Sequence, residues 1–479
     1  MSDPTWISIL PPVLAIVLAI WSRQVYLSLA GGLWLGWTIM SGGNPVAGMG
    51  GAIQGAVSVF QDEGNTRAIL FTIVIGSLIA TIEASGGVRG FVDYLEETRW
   101  VTSSRGAQLL AFVTGCVIFI ESNITVLVSG AVARPLCDRY KCSREKLAYI
   151  IDSTSAPICI LIPMNAWGAY NLQILSGLGV EEPLKVFLEA VLLNFYAIAA
   201  VLLTLFVILR GFDLGPMKRA EERTRAGELL WPNATPLIDE EILSPKSSSK
   251  IPPRAVNMIA PIAVMVLSMP VGLYVTGGGD LLEGSGSTSV LWAVLAGLGT
   301  AWVLLLGQRA FGQDELVKIG LKGAGGLIPL ALILLLAIAL GNVTKELGTG
   351  IYVAELTSGL LPPFLFLPLV FLVAAAIAFS TGTSWGTFAI MLPIAVPAAV
   401  TLGLPVAPFV AASLSGGVFG DHCSPISDTT IIASMAAATD HIDHVRTQLP
   451  YALIGGGVAA LCFSALGAML KGARRTPDP

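Results

Sequence analysis

The chain has 479 residues, of which 54% are hydrophobic and only 12% are charged, and its mean hydropathy is +0.76. Ordinary globular chains carry about twice this charged share, so a water-soluble fold could not bury so much apolar surface. The formal net charge is −5, and no basic stripe with interleaved aromatic residues is present, which excludes a nucleic-acid partner. We therefore predict an all-α polytopic membrane protein whose main partner is the lipid bilayer.

Apolar runs of the length that crosses a bilayer follow one another along the chain, and they predict about 12 membrane segments. The first run, Ile7 to Trp21, lacks the basic start and cleavage site of a signal peptide, so we interpret it as a retained span of a multi-pass protein of the cell inner membrane. The predicted segments are 7–21, 25–41, 67–84, 107–120, 147–175, 185–209, 256–276, 288–307, 324–342, 364–380, 405–435 and 447–470.

A charged, proline-rich stretch interrupts the hydropathy between Arg210 and Arg254. Its basic residues favour the cytoplasmic side of the membrane. We predict that residues 210–254 are a cytoplasmic linker between an N-terminal transmembrane repeat, 1–209, and a C-terminal one, 255–479.

The two halves repeat one another weakly. Residues 121–125 and 380–387 each form a polar break followed by a short apolar stretch, which predicts two re-entrant hairpins. Residues 152–157 and 421–425 are small, polar and proline-containing within apolar runs, which predicts two broken helices. Basic residues follow the first hairpin but not the second, which favours inverted repeats, whereas six spans in each half would make the repeats parallel.

Carboxylates inside the membrane are the default place to look for function, because each costs about 3 kcal/mol or more unless it is paired, protonated or hydrated. The candidates are Glu83, Glu121, Asp152, Asp421 and Asp428. Glu83 and Glu121 lie at the ends of spans, where an interfacial role is equally open. Asp152 and Asp421 occupy matching places in the two repeats, which favours a functional role for both.

Sodium prefers hard oxygen ligands, and a broken helix offers free carbonyls beside Ser, Thr and Asn side chains. One candidate site joins the first hairpin tip to the first broken helix, and a second joins the corresponding parts of the second half. The candidate residues are Ser122, Asn123, Thr125, Asp152, Ser153, Thr154, Ser155 and Asn165 in the first half, and Thr381, Thr383, Ser384, Asp421, His422, Ser424, Asp428 and Thr429 in the second. The predicted Na+ ligands among them are Asn123, Asp152, Ser155, Thr383, Asp421 and Ser424.

Each of these hydroxyls taken singly is more commonly a link between membrane helices, and only their clustering at the breaks favours an ion site. Asn165, Trp167 and Tyr170 are candidates to line a pocket larger than a bare ion needs, although Trp and Tyr more often belong to an interfacial belt.

Three histidines stand near these segments. His422 adjoins Asp421 and predicts proton coupling or pH sensing, although a lone histidine is more often structural. His441 and His444 share a segment with Asp440 and Asp443, which superficially resembles a metal site; we predict instead a solvated, pH-sensitive turn between helices.

No metal motif and no phosphate-loop pattern occurs in the chain. Asp152 and Asp421 could pass for an intramembrane aspartyl protease pair, but the repeat explains their matching positions more simply. We therefore predict that the protein is not an enzyme, needs no cofactor and uses ion gradients as its driving force.

The motif Gly420-Asp-His-Cys-Ser-Pro-Ile-Ser-Asp-Thr-Thr430, with residues 382–387 and 392–394 before it, resembles the signature of NhaC-type sodium/proton antiporters. Residues 10–16 and 21–24 resemble the start of that family. The resemblance implies paired re-entrant hairpins with Ser-Asn-Thr-like tips, an elevator movement and a homodimer. Neither tip here is an intact Ser-Asn-Thr, which favours a small cation over a dicarboxylate.

We predict a secondary transporter that exchanges sodium for protons, with Asp152 and Asp421 (or Asp428) alternating between sodium-bound and protonated forms. A site that must hold one of two cations before it crosses enforces exchange, because the membrane penalises a bare charge. The alternative is a sodium- or proton-coupled carrier of a small organic acid or amino acid.

Overall fold

The computed structural model describes residues 5–22, 24–91, 102–119, 122–163, 165–236, 252–279, 284–349, 352 and 365–470. These residues are helical apart from turns and short connections, and no strand occurs among them. The predicted all-α class is therefore confirmed. Helices suit a bilayer because they satisfy every backbone polar group within one segment.

The helices of the first half are α1 (Leu10–Ser22), α2 (Val25–Met40), α3 (Pro45–Ser58), α4 (Glu63–Ala84), α5 (Ser104–Val117), α6 (Ser122–Arg139), α7 (Arg144–Ser153), α8 (Ala156–Leu161), α9 (Ala166–Gly177), α10 (Pro183–Leu192) and α11 (Phe195–Arg210). Next come α12 (Gly215–Arg225), α13 (Val256–Thr276), α14 (Gly286–Gly307), α15 (Gln313–Glu346), α16 (Phe366–Thr381), α17 (Ser384–Thr401), α18 (Val406–Cys423), α19 (Asp428–Ala437) and α20 (His441–Leu470).

Within the described ranges, seven helical segments are long and apolar enough to cross a membrane, or eight if a pair bent by 41° counts as one span. The bent pair consists of Arg144–Leu161 and Ala166–Gly177. Shorter apolar helices occur at Trp6–Leu18, Val25–Met40 and Phe366–Thr381. The chain is an integral membrane protein, as predicted, while the count of twelve segments and the inverted relation of the repeats stay predictions.

The predicted hairpins and broken helices coincide with interruptions between helices, while the re-entrant form of the hairpins and the repeat itself stay predictions. The first hairpin is α5–α6 and the second is α16–α17, which is interrupted at Gly382 and Thr383. The first broken helix is α7–α8 and the second is α18–α19. Helix α19 packs against α6 and α7, and at the closest approach Gly130 faces Ala436 so tightly that a Cβ would clash. The hairpin and broken helix of one half thus contact those of the other.

Part of the stretch predicted as a linker is folded. Helix α12 packs its charged residues against the start of α7, where Arg223 pairs with Glu145 at 2.7 Å and Asp213 pairs with Lys146 at 2.7 Å. These side chains are almost fully buried, and buried charges are tolerated when they are paired. Residues 237–251 of the predicted linker lie outside the described residues.

Helix α3 was not among the predicted elements. It begins at Pro45 after Asn44, whose Oδ1 accepts from Val46 N at 3.0 Å and Ala47 N at 3.2 Å, a typical N-cap. Gly48 lies against Thr38 of α2 where a Cβ would clash with the Thr38 backbone and hydroxyl. A short glycine-rich helix therefore packs closely on α2, as small residues allow.

Candidate functional site

Asp152 lies in the last turn of α7, and local hydrogen bonds explain why this helix ends there. Thr154 Oγ1 donates to Ile150 O at 2.8 Å, and Ser155 Oγ donates to Asp152 O at 2.8 Å. Hydroxyls that bond to backbone carbonyls in this way compete with the helix, and Pro157 cannot donate a helical N–H. The break therefore leaves the Asp152 carboxylate at the end of a buried helix.

All the hydrogen-bond donors to the Asp152 carboxylate come from the second half of the chain. Its Oδ2 accepts from Gln448 Nε2 at 2.7 Å and from Thr430 Oγ1 at 3.0 Å, and His422 Nε2 lies 3.8 Å away. Among the residues that the structure describes, its Oδ1 has no hydrogen-bond partner, and the residue is 1% exposed. One oxygen is therefore held by donors, while the other is available to a cation or a proton.

Asp421 occupies the matching place in the last turn of α18. Its Oδ2 accepts from Ser384 Oγ of the second hairpin at 2.7 Å, and its Oδ1 makes no hydrogen bond. Gly382 at the hairpin tip has a positive φ of 67°, and a Cβ there would clash with Ile426 O in the break of α18–α19. The second hairpin tip and second broken helix therefore meet at Asp421, as the sequence predicts.

His422 follows Asp421 in the chain, but its imidazole lies on the other side of α18 and faces Asp152. Its Nδ1 lies 2.6 Å from Tyr196 OH of α11, and its Nε2 lies 3.3 Å from Ser153 Oγ. The histidine belongs to the surroundings of the first aspartate.

Several predicted ligands are used within the protein to hold the breaks. Asn165 donates both amide hydrogens, to Phe119 O and Cys159 O at 2.8 Å each, and its Oδ1 accepts from Gly168 N at 3.0 Å. Ser424 Oγ donates in the same manner to Phe379 O at 2.7 Å. In each half, then, a polar side chain next to the broken helix donates to a backbone carbonyl near the end of the first helix of the hairpin.

The other predicted hydroxyls have local partners. Thr125 donates to Ile118 O, Thr381 donates to Ile377 O at 2.9 Å, and Thr429 Oγ1 lies 3.1 Å from Ser427 Oγ. Thr383 is the N-cap position of α17, and its carbonyl accepts from Thr387 Oγ1 at 3.0 Å. Ser122 is buried.

The predicted acids outside the two breaks are placed differently. Asp428 begins α19 with its side chain exposed, and its Oδ1 accepts from Thr429 N at 2.8 Å. Glu83 lies near the end of α4 and is also exposed. Glu121 and the side chain of Asn123 lie outside the described residues. Asp152 and Asp421 are therefore the buried members of the candidate set.

Trp167 and Tyr170 pack inside the protein rather than in an interfacial belt. Their rings lie 4.8 and 4.9 Å from the ring of Trp385, and Tyr170 OH donates to Trp385 O at 3.1 Å. Trp385 is the second residue of α17, so these aromatic side chains seat the second hairpin against α9. The pocket-lining role of Asn165, Trp167 and Tyr170 stays a prediction.

The expectation of a solvated turn at His441 and His444 is wrong. Helix α20 begins at His441, and His444 in its first turn is fully buried. His444 Nε2 lies 2.8 Å from Gln448 Oε1, one helical turn further on. Gln448 and Tyr196 were absent from the predicted site; the one available signal was a glutamine four residues after a histidine on an otherwise apolar helix.

Two cavities lie beside the helices, and neither is lined by Asp152 or Asp421. One, of about 420 Å³, is lined by Gln173, Glu181 and Ser285 among others. The other, of about 450 Å³, lies at the start of α20 and includes Asp440 and Asp443. Among the described residues, no group of three or more His, Cys, Asp or Glu side chains is arranged to hold a metal ion.

Comparisons with known proteins find similarity to membrane transporters. The model of the Na+/H+ antiporter family matches residues 158–468. An uncharacterised protein of Haemophilus influenzae is 35% identical over 500 residues, covering 98% of this chain and 92% of that protein. The malate-2H+/Na+-lactate antiporter of Bacillus subtilis is 34% identical over 110 residues, or 23% of this chain and 24% of that protein. The crystal structure of the YdaH transporter of Alcanivorax borkumensis has a similar fold, with a TM-score of 0.58 and 14% identity over 96% of this chain and 98% of that one.

Proposed function

Because the chain belongs to the Na+/H+ antiporter family and is thus a membrane transporter, we propose that it exchanges Na+ for H+ across the cell inner membrane. The observation that carries this proposal is the pair of buried carboxylates in matched broken helices, Asp152 and Asp421. Each has one oxygen held by a donor and one oxygen without a partner.

The partners of these carboxylates suit a negatively charged state that binds a cation. Gln448 and Thr430 donate to Asp152, and Ser384 donates to Asp421, so each Oδ2 serves as an acceptor. The unpartnered Oδ1 atoms are then where Na+ or H+ is taken up, with carbonyls freed at the helix breaks as further Na+ ligands. An empty, charged site is penalised in the membrane, so one cation must replace the other before the site crosses.

We further propose that the two hairpins and two broken helices move together as an elevator against the outer helices, within a homodimer. The support is the packing of α19 of the second half on α6 and α7 of the first, together with the hydrogen bond from Thr430 of α19 to Asp152. A carboxylate of one half that accepts from a broken helix of the other keeps this partner only if those parts move as one body.

The test is sodium-driven exchange in proteoliposomes with an imposed pH gradient. We expect added Na+ to dissipate the gradient in the wild type, and Asp152→Asn and Asp421→Asn each to abolish this response. Glu83→Gln is the matched control, since it removes a carboxylate from α4 outside the two hairpin and broken-helix units, and it should retain exchange. Sodium exchange that persists in the double Asp152→Asn, Asp421→Asn variant would refute the proposal.

A second candidate function follows from the similarity to the malate-2H+/Na+-lactate antiporter, whose name includes both ions and organic acids. In that case Na+ or H+ movement would be coupled to a small organic acid. Labelled malate and lactate distinguish the two functions. Saturable, gradient-dependent uptake of either acid, with no response to Na+ alone, would replace ion exchange by organic-acid transport.

A further inference from the structure

His441 and His444 are joined through a single hydroxyl, that of Ser434 on α19. Ser434 Oγ lies 3.0 Å from His441 Nδ1 and 2.9 Å from His444 Nδ1. At the outer end of this row, His441 Nε2 lies 2.6 Å from Pro425 O. At the inner end, His444 Nε2 lies 2.8 Å from Gln448 Oε1. The row thus runs from a half-buried histidine to the glutamine that contacts Asp152.

The partners at the two ends fix which nitrogens carry hydrogen. A carbonyl oxygen can only accept, so His441 Nε2 must donate to Pro425 O. Gln448 directs its amide nitrogen to Asp152 Oδ2 at 2.7 Å and to His422 O at 2.8 Å, both acceptors, so its Oε1 faces His444. His444 Nε2 must therefore donate as well. In a neutral imidazole with Nε2–H, the Nδ1 atom is an acceptor.

A count of hydrogens then shows that the cluster is incomplete when both histidines are neutral. Two acceptor Nδ1 atoms would face one hydroxyl, whose single hydrogen is donated to Thr430 O at 2.8 Å. At least one Nδ1 would then face an oxygen lone pair. With one added proton, one Nδ1–H donates to Ser434 Oγ, and the hydroxyl can turn from Thr430 O to donate to the other Nδ1. A second proton would place two positive charges on either side of one hydroxyl, which repel each other in a low-dielectric interior.

The charged groups around the pair lie on several helices, and His441 at its outer end is partly exposed to solvent. Nearby charged or titratable groups are Asp440, Asp443 and Arg446 beside the pair, Arg144, Glu145 and Asp152 on α7, Arg223 on α12, His422 on α18 and Asp428 at the start of α19. Arg223 is paired with Glu145 and Arg144 with Asp138, so the remaining balance is negative. The cavity of about 450 Å³ lined by Asp440 and Asp443 reaches Thr447, whose hydroxyl donates to His444 O.

We propose that His441, Ser434 and His444 form a proton-binding site separate from the transported ions, and that its one shared proton sets the pH at which exchange runs. The regulatory part rests on the proposed function, whereas proton binding does not. The link to transport is Gln448: its amide can donate to Asp152 only while its oxygen accepts from His444. A change of hydrogen at His444 Nε2 therefore alters the donor that holds the Asp152 carboxylate.

Proton binding can be measured without transport, because the chain has only three histidines. Nitrogen-15 NMR of histidine-labelled protein in the His422→Gln background reports the tautomer and charge of His441 and His444. Over a titration from about pH 4 to 8 we expect one proton to bind, with both imidazoles responding together. Two imidazoles that stay neutral throughout this range, or that titrate independently in the wild-type cluster, would overturn the site.

Ser434→Ala removes the shared hydroxyl and should make the two imidazoles titrate independently. Ser413→Ala is the matched control, because Ser413 is equally buried and donates to the carbonyl four residues before it, Phe409 O, at 2.9 Å. If the alanine variant does not fold, Ser434→Thr provides a second test, because it keeps a hydroxyl and should keep the shared proton.

In proteoliposomes, Ser434→Ala should move the half-activation pH of exchange by about one unit or more, and Ser413→Ala should not. An unchanged pH profile in Ser434→Ala would overturn the regulatory role even if NMR shows the shared proton. Absence of exchange in the wild type, with the shared proton present, would refute the proposed function and leave the proton site standing.

Discussion

Gln448 donates a hydrogen bond of 2.7 Å to Asp152 across 296 residues of sequence. The glutamine belongs to the last helix of the chain and the aspartate to a broken helix of the first half. Its second amide hydrogen is used by His422 O at 2.8 Å, so the donor is held in one orientation. The first aspartate therefore depends on the second half for its charged form.

Gln448→Leu should weaken sodium binding at Asp152. A hydrogen bond to a charged group contributes about 1.5–3 kcal/mol, so we expect the apparent sodium KM to rise by about 10- to 100-fold. Gln173→Leu is the control, because Gln173 is equally buried but donates to Asn65 at 2.7 Å. Equal sodium KM values in the two variants would contradict the role of Gln448.

Ser384→Ala should have a parallel effect at Asp421. The hydroxyl is the donor to Asp421 Oδ2, and its loss removes that hydrogen bond from the carboxylate. We expect at least a tenfold rise in the sodium concentration for half-maximal exchange, from a loss of about 1.5 kcal/mol or more. Ser384→Thr should recover most of the affinity. Ser464→Ala, which removes a hydroxyl bonded only to its own helix at Ala460 O, should behave as wild type. Failure of threonine to restore function would show that the hydroxyl is not the important group.

Asn165→Ala should lower stability rather than alter ion affinity. The amide joins Phe119 O to Cys159 O and caps α9 at Gly168 N, so its removal leaves carbonyls at the first break unsatisfied. We expect a loss of about 2–3 kcal/mol, measured as a lower Tm in detergent. Asn171→Ala removes a buried asparagine that donates within its own helix to Trp167 O and should cost less. A normal Tm with a raised sodium KM would instead make Asn165 a ligand, as the sequence predicts.

The buried ion pair of Glu145 and Arg223 should show strong coupling. Removing one partner leaves an unpaired buried charge, and such changes cost about 3–5 kcal/mol. Glu145→Ala and Arg223→Ala should therefore each lower Tm strongly, while the double variant should lose less than the sum of the two. The exposed pair Lys185 and Glu182 is the control, where single changes should cost less than about 1 kcal/mol. Strict additivity in the buried pair would contradict the coupling.

Low pH should release the segment around Thr235 from the start of α20. Partial burial alone would raise the pKa of Asp440, but hydrogen bonds from Thr235, Asp443 and Ile442 outweigh it and hold the pKa below its usual value. A depressed carboxyl pKa stabilises the contact above the ordinary pKa of 3.8 and loses it as pH falls through the folded value. Limited proteolysis should therefore cleave this segment with pepsin in acid, whereas a protease that acts at neutral pH should leave it intact. Asp440→Asn should expose it at neutral pH, and protection unchanged in that variant would contradict the contact.

The sequence is informative where structure depends on nearby residues. Proline, serine and glycine predicted both breaks, and Thr154 and Ser155 after Asp152 predicted the end of α7. The motif around Asp421 identified the family correctly. The hydrogen-bond partners of Asp152 and His422 were not predicted. Tyr196 and Gln448 reach His422 and Asp152 only because α11 and α20 pack beside the breaks, and no local pattern encodes that packing.

The errors have a similar physical origin. His444 lies within a polar stretch that resembles a loop, yet it is fully buried with Ser434 and Gln448 within hydrogen-bonding distance of its two ring nitrogens. The helical part of the predicted linker, α12, was missed because the charges that pair with this region are on α7, far away in sequence. A polar pattern alone does not distinguish a solvated segment from one whose partners come from another part of the chain.

The ring contact between Trp167 and Trp385 gives the protein an intrinsic optical probe. Two indoles with centroids 4.8 Å apart and planes tilted by 49° couple their electronic transitions, and this coupling falls steeply as the rings separate. One indole is on α9 and the other is on the second hairpin, so the near-ultraviolet circular dichroism difference between wild type and Trp167→Phe reports their separation. Movement of that hairpin can thus be followed in the unlabelled protein, at the position where a dye would disturb the packing.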